Sequence, residues 1–220
     1  MRLPPSTSSS ATFVRYGLYV VRRLRRAKLD ALAKDVEKAT LEARAAGRAW
    51  EDANDAIQAA YADRDGADDD LDETAQEVRV KLIGRAVGAD RAEPYTLIFP
   101  DGIGYYVAAP VDENAARYGE LSKRLEAHLA ASDALRKSAT ASLRAGIKAL
   151  QEAEKSLEAA ESEERLAATR TRKALRAFER QIEKTYGALV TEYGRAKAER
   201  FFPKVRAARA PTAPPAPPSE

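Results

Sequence analysis

Apolar residues recur at steps of three and four from Leu29 through Leu32, Val36, Ala39, Ala43, Ala46, Trp50, Ala53 and Ile57 to Ala60, and no proline interrupts the chain from Ser10 to Asp63. That spacing keeps one stripe of a helix apolar and reads as a coiled-coil-like seam. Half of these positions are alanine, which admits a close neighbour but buries little surface. Leu29, Leu32, Val36, Trp50 and Ile57 are therefore expected to carry most of the packing. Asp65-Gly66-Ala67 reads as a helix stop, and Asp68 to Asp70 offer a cap and first-turn acids for a second helix along Leu71, Val78, Leu82 and Val87.

Two more apolar faces follow, one on Leu121, Leu125, Leu129, Leu135, Leu143, Ile147, Leu150 and Leu157, the other on Leu175, Phe178, Ile182, Leu189 and Tyr193. The phase fades over 160–168, so the chain here reads as one very long helix or as two joined in that stretch, with two the favoured expectation. Only one stretch breaks the helical period. Tyr95-Thr-Leu-Ile-Phe99 and Ile103-Gly-Tyr-Tyr-Val107 are β-prone runs separated by Pro-Asp-Gly, a hairpin signature.

The pattern predicts an all-α chain, an antiparallel bundle or coiled coil of about four long helices with a short β-hairpin-like insertion at residues 95–107. The helices are expected near 11–64, 68–88, 112–163 and 166–201, within a single domain over 11–203. Residues 1–10 read as a disordered leader, and 204–220 as a basic and then proline-rich disordered tail.

Composition supports a core, with 45% apolar residues in 220, and its 32% charged residues suit exposed helices. The net charge of +3 hides strong segregation. No acid precedes Asp30, whereas Arg2, Arg15, Arg22, Arg23, Arg25, Arg26 and Lys28 do; Asp63 to Glu77 holds eight acids against Arg64 alone; Arg195 to Arg209 is basic again. Such polarity suits head-to-tail docking or an anionic partner.

Candidate chemistry is sparse. One histidine, His128, and no cysteine leave no donor set for a structural zinc site or a Cys-His nucleophile. Di-iron bundles require Glu-x-x-His on two helices, and Leu125 stands three residues before His128. His128 itself reads as an edge residue of an apolar face. The eleven glycines form no phosphate-cradling loop. Glycine at loop position six would put Asp63, Asp65 and Asp69 at calcium-ligand positions, but Tyr61 and Asp72 then occupy the first and last places, and a capped helix break accounts for the same residues.

These observations predict a non-enzymatic structural or interaction protein, a cytoplasmic helical scaffold or assembly component that needs no cofactor or metal and takes no small-molecule substrate. Its partner is expected to be another protein or a second copy. The expected docking points are its ends and the hairpin tip, with Tyr95, Ile98, Phe99, Ile103, Tyr105 and Tyr106 as tip contacts; the alternative for these six is that the hairpin folds back and plugs the end of the bundle. The alternative is binding of nucleic acid or an anionic membrane surface through the N-terminal arm, residues 13–28. There Arg15, Arg22, Arg23, Arg25, Arg26 and Lys28 interleave with apolar residues. Under a third reading that arm is an ordinary helix buried against Phe201 and Phe202 with its arginines solvated.

Overall fold

The computed structural model describes residues 1–204. In chain order its helices are α1 (Ser10–Arg26), α2 (Asp30–Ile83), α3 (Tyr95–Ile98), α4 (Gly104–Val107), α5 (Asn114–His128), α6 (Ala134–Tyr193) and α7 (Arg195–Ala198). The protein is all-α: no strand occurs among the described residues, and none of their helices is long and apolar enough to cross a membrane. The chain divides into two compact units, Met1–Asp52 with the chain from Leu166 onward, and Ala53–Arg165. Helices α2 and α6 each contribute one segment to each unit.

The first unit is built around Phe178 of α6, which is fully buried and meets Phe13 edge-on at 5.9 Å and Tyr16 at 6.5 Å. Val20 and Leu24 of α1, Val36 and Ala43 of α2, Ile182 and Leu189 of α6, and Phe201 and Phe202 complete this core. Ser10 lies against Gly47 and Gly17 against Thr40, so α1 and α2 run antiparallel. Gly17 is required for that approach: a Cβ there would stand 2.8 Å from Phe178 Cε2 and 2.9 Å from Thr40 Cγ2. Thr171 Oγ1 donates to the Ala46 carbonyl at 2.9 Å and fixes α6 on α2.

The expected helix over 11–64 is two helices. Lys28 adopts φ +60°, and the amides of Lys28 and Leu29 donate to the carbonyls of Arg25 and Leu24 at 3.0 Å each. This is a Schellman stop, usually carried by glycine. A lysine carries it here, so no breaker residue announced it. The leader also differs from expectation: Leu3 packs on the core, and the Tyr16 hydroxyl donates to the Arg2 carbonyl at 3.1 Å.

In the second unit, Leu71, Val78 and Leu82 of α2 pack with Leu121 and Leu125 of α5 and Leu143 and Leu150 of α6. Asn114 Nδ2 donates to Asp68 Oδ1 at 2.6 Å, and the Tyr118 hydroxyl donates to Asp72, so here α2 and α5 run parallel. Segment 84–113 carries the chain back between them. Gly146 lies against Leu71, and the Tyr61 hydroxyl donates to Glu161 at 3.2 Å, so α6 runs antiparallel to α2.

Three further expectations are corrected. The stop at Asp65–Ala67 is absent; α2 runs through it, because Gly66 keeps helical geometry, and of the carboxylates read as caps Asp68 is held by Asn114 of α5 instead. The hairpin at 95–107 is two single helical turns, α3 and α4, cut apart by Pro100 and by Gly102 at φ +74°. The boundary expected over 160–168 is absent as well. The chain turns at 129–133 instead, where Asp133 Oδ1 accepts from the Leu135 amide at 2.9 Å and caps α6, while Arg85 Nη2 grips both carboxylate oxygens at 2.8 and 3.0 Å. The basic and proline-rich tail lies, beyond Lys204, outside the described residues.

Candidate interaction surfaces

The six residues expected at an exposed tip form an internal aromatic cluster of the second unit. Ile98, Phe99 and Tyr106 are buried, and Tyr95, Ile103 and Tyr105 are half-buried against them. Phe99 meets Tyr106 edge-on at 5.6 Å, and Tyr106 stacks on Tyr118 at 6.2 Å. The Tyr106 hydroxyl donates to the Ile98 carbonyl at 3.2 Å and accepts from Arg124 Nη1 at 3.0 Å. Burial raises the Tyr106 hydroxyl above its usual range. The guanidinium of Arg117 lies 4.4 Å over the Tyr105 ring. The apolar atoms are thus already in use, and the segment closes its own core.

The basic arm is α1 together with its stop. Phe13, Val20 and Leu24 are fully buried, and the helix shares its core with Phe201 and Phe202, so its apolar stripe is occupied within the unit. Arg15, Arg22, Arg23, Arg25, Arg26 and Lys28 are all exposed. Arg25 reaches Glu37 at 2.6 Å; the other five form no ion pair among the described residues. Arg23, Arg25 and Arg26 occupy the last turn, where cations offset the partial negative charge of a helix C-terminus. Arg15 shares the rim of a shallow groove of about 280 Å³ with Arg44, Arg48 and Glu51.

The acidic stretch Asp63–Glu77 is helical throughout and cannot wrap a cation as a calcium loop does. Its inward members are structural. Burial, followed by the nearby Asp72 and Asp69 charges, raises the Asp68 carboxyl above its usual range. Burial and then the hydrogen bond to Asp72 keep the Tyr118 hydroxyl protonated. His128 is exposed in the last turn of α5.

Two features escaped the reading by apolar spacing. The first is the division of charge between units. Residues 1–52 and 166–220 carry 23 Lys and Arg against 11 Asp and Glu, net +12, whereas residues 53–165 carry 14 against 23, net −9.

The second is a pair of single-sign rows. On α6, Arg172, Arg176, Arg180 and Lys184 follow one another at steps of four; on α2, Asp65, Asp69, Glu73 and Glu77 do the same. All eight are exposed. At about 3.6 residues per turn each row lies opposite its helix's buried positions, which are Thr171, Phe178 and Thr185 on α6 and Leu71, Ala75 and Val78 on α2.

Like charges four apart repel, destabilising a helix by roughly 0.2–0.5 kcal/mol for each contact. The α6 row forms no ion pair among the described residues, although Glu179 and Glu183 stand close in sequence; Arg172 donates only to Thr169 Oγ1 at 3.3 Å. In the α2 row Asp65 meets Arg64 at 2.6 Å and Glu77 meets Lys81 at 2.9 Å, while Asp69 and Glu73 have no such partner among the described residues. The signal was present in the sequence as Arg-x-x-x-Arg-x-x-x-Arg-x-x-x-Lys and Asp-x-x-x-Asp-x-x-x-Glu-x-x-x-Glu.

No family model, curated protein or solved structure matches the chain.

Proposed function

We propose that this chain is a non-enzymatic interaction protein, a helical scaffold that docks macromolecular partners through its charged faces and has its place of action in the cytoplasm. The observation that carries this reading is the segregation of charge, +12 on one compact unit and −9 on the other, over cores whose apolar residues are already satisfied. Fields of that size steer and orient association without any apolar patch. The reading retains the expected scaffold and the antiparallel helical packing, but moves docking from the 95–107 segment to helix faces.

A second reading, in which the basic arm tracks nucleic acid or an anionic bilayer, draws support from its five exposed cations, four on α1 and Lys28 in the stop, that form no ion pair among the described residues. The burial of Phe13, Val20 and Leu24 weighs against insertion into a bilayer and leaves phosphate contact as its mechanism.

Sedimentation of the purified chain, alone and with duplex DNA or anionic vesicles, at about 50 and about 500 mM NaCl separates the two. Self-association weakened by salt supports the scaffold. A monomer that co-sediments with DNA or vesicles only at low salt, and loses this on removal of residues 1–28, overturns it in favour of the arm.

A further inference from the structure

We propose that the α6 cation row of one copy, Arg172, Arg176, Arg180 and Lys184, docks on the α2 acid row, Asp65, Asp69, Glu73 and Glu77, of a second copy. The inference rests on the scaffold reading and names its partner. Both rows contain four residues at steps of four, so each climbs its helix by the same rise and drifts around it at the same rate. Both rows are exposed and centred opposite their helices' buried positions; at its end the acid row borders α6, with which Glu73 and Glu77 line a groove of about 280 Å³ beside Leu135 and Ser138. Two helices set face to face along such rows meet ridge to groove at the i, i+4 spacing, and each residue finds an opposite charge across the contact.

Arg64 and Lys81 already relieve Asp65 and Glu77, so the repulsion left for the opposite row to relieve is that of the cation row and of Asp69 and Glu73. A phosphate backbone would satisfy the cations but would leave the acid row, with its equal number and spacing, without a role. A second copy satisfies both. The contact joins different surfaces of the two copies, so it closes into a dimer when made reciprocally and otherwise extends into a chain.

The test uses two charge-reversed variants of the full chain, R176E/R180E and D69K/E73K. All four positions are exposed and outside both cores, so circular dichroism should match the unaltered protein. Light scattering on a sizing column at about 50 mM NaCl should show the unaltered chain associating, and each variant alone associating about tenfold or more weakly. An equimolar mixture of the two should recover association to within about threefold of the unaltered chain, because every reversed row then faces its complement.

Variants that associate as the unaltered chain does, or a mixture that recovers nothing, overturn the proposal. An unaltered chain that is monomeric at low salt and ignores duplex DNA overturns the row contact alone. A monomer that binds duplex DNA and releases it in R176E/R180E overturns the scaffold reading with it.

Discussion

Gly66 sits in the interior of α2, exposed, with no positive φ, and a Cβ built there meets nothing within 4 Å. Replacing it by alanine therefore adds no steric cost and removes the conformational freedom that makes glycine a poor helix residue, a gain of about 0.8–1.0 kcal/mol. In a chain of this size that corresponds to a rise in Tm of roughly 2–4 °C. The sign reverses if the chain stops at Asp65–Ala67, because alanine in the left-handed conformation of a helix stop costs about 1 kcal/mol. Gly88, at φ +76° with equally open surroundings, supplies the contrast, and Gly88→Ala should lose about 1 kcal/mol. Urea titrations followed by far-ultraviolet circular dichroism measure both. A Gly66→Ala midpoint that falls as the Gly88→Ala midpoint does would refute a continuous α2.

Asp133→Ala should cost about 1–2 kcal/mol near neutral pH, since it removes the α6 cap and the Arg85 link. Burial tends to raise the Asp133 carboxyl, but the Arg85 hydrogen bond and the Leu135 and Arg136 amides outweigh it and hold it below 3.8. Its contribution is thus present above that value and lost as pH falls through the lower folded value, so chemical denaturation should show the Asp133→Ala penalty shrinking in acid. Asp68 behaves oppositely: its folded pKa is raised by burial and by Asp72 and Asp69, so stability declines as pH rises from 3.8 through the folded value. Asp68→Asn keeps an acceptor for Asn114 and should be the more stable form at neutral pH, with no advantage in strong acid. Tyr118→Phe strips Asp72 of its donor and should cost about 1–3 kcal/mol in the same urea assay.

The helical class and most core positions could be read from spacing because burial selects the same stripe that periodicity detects. Val36, Ala43, Leu71, Leu125, Leu143, Phe178 and Ile182 all lie in the cores where the apolar pattern places them. Boundaries were less visible because the residues that set them are unusual for the task. Lys28 stops α1 without glycine, Asp133 caps α6 without a nearby proline, and Gly66 passes through α2 at the modest cost of a glycine in a helix. The 95–107 segment has β-prone composition, but Tyr106 and Ile98 bond to each other across two helical turns and fill the core instead.

The charged rows were hidden for a different reason. Reading for apolar steps discards the opposite face of the helix, where Arg176 and Glu73 lie. The basic arm stood out because its charges are consecutive in sequence, although its final turn has an ordinary helix-terminal explanation.

The most direct test is zero-length carbodiimide cross-linking of an equal mixture of unlabelled and nitrogen-15-labelled chain at low salt, read by mass spectrometry. Docking between copies gives cross-linked peptides of mixed isotope joining Lys184 to the α2 acids between Asp65 and Glu77, and these are lost at high salt. Cross-links from Lys184 that leave those acids untouched, or that join them only within chains of one isotope, would contradict docking between copies.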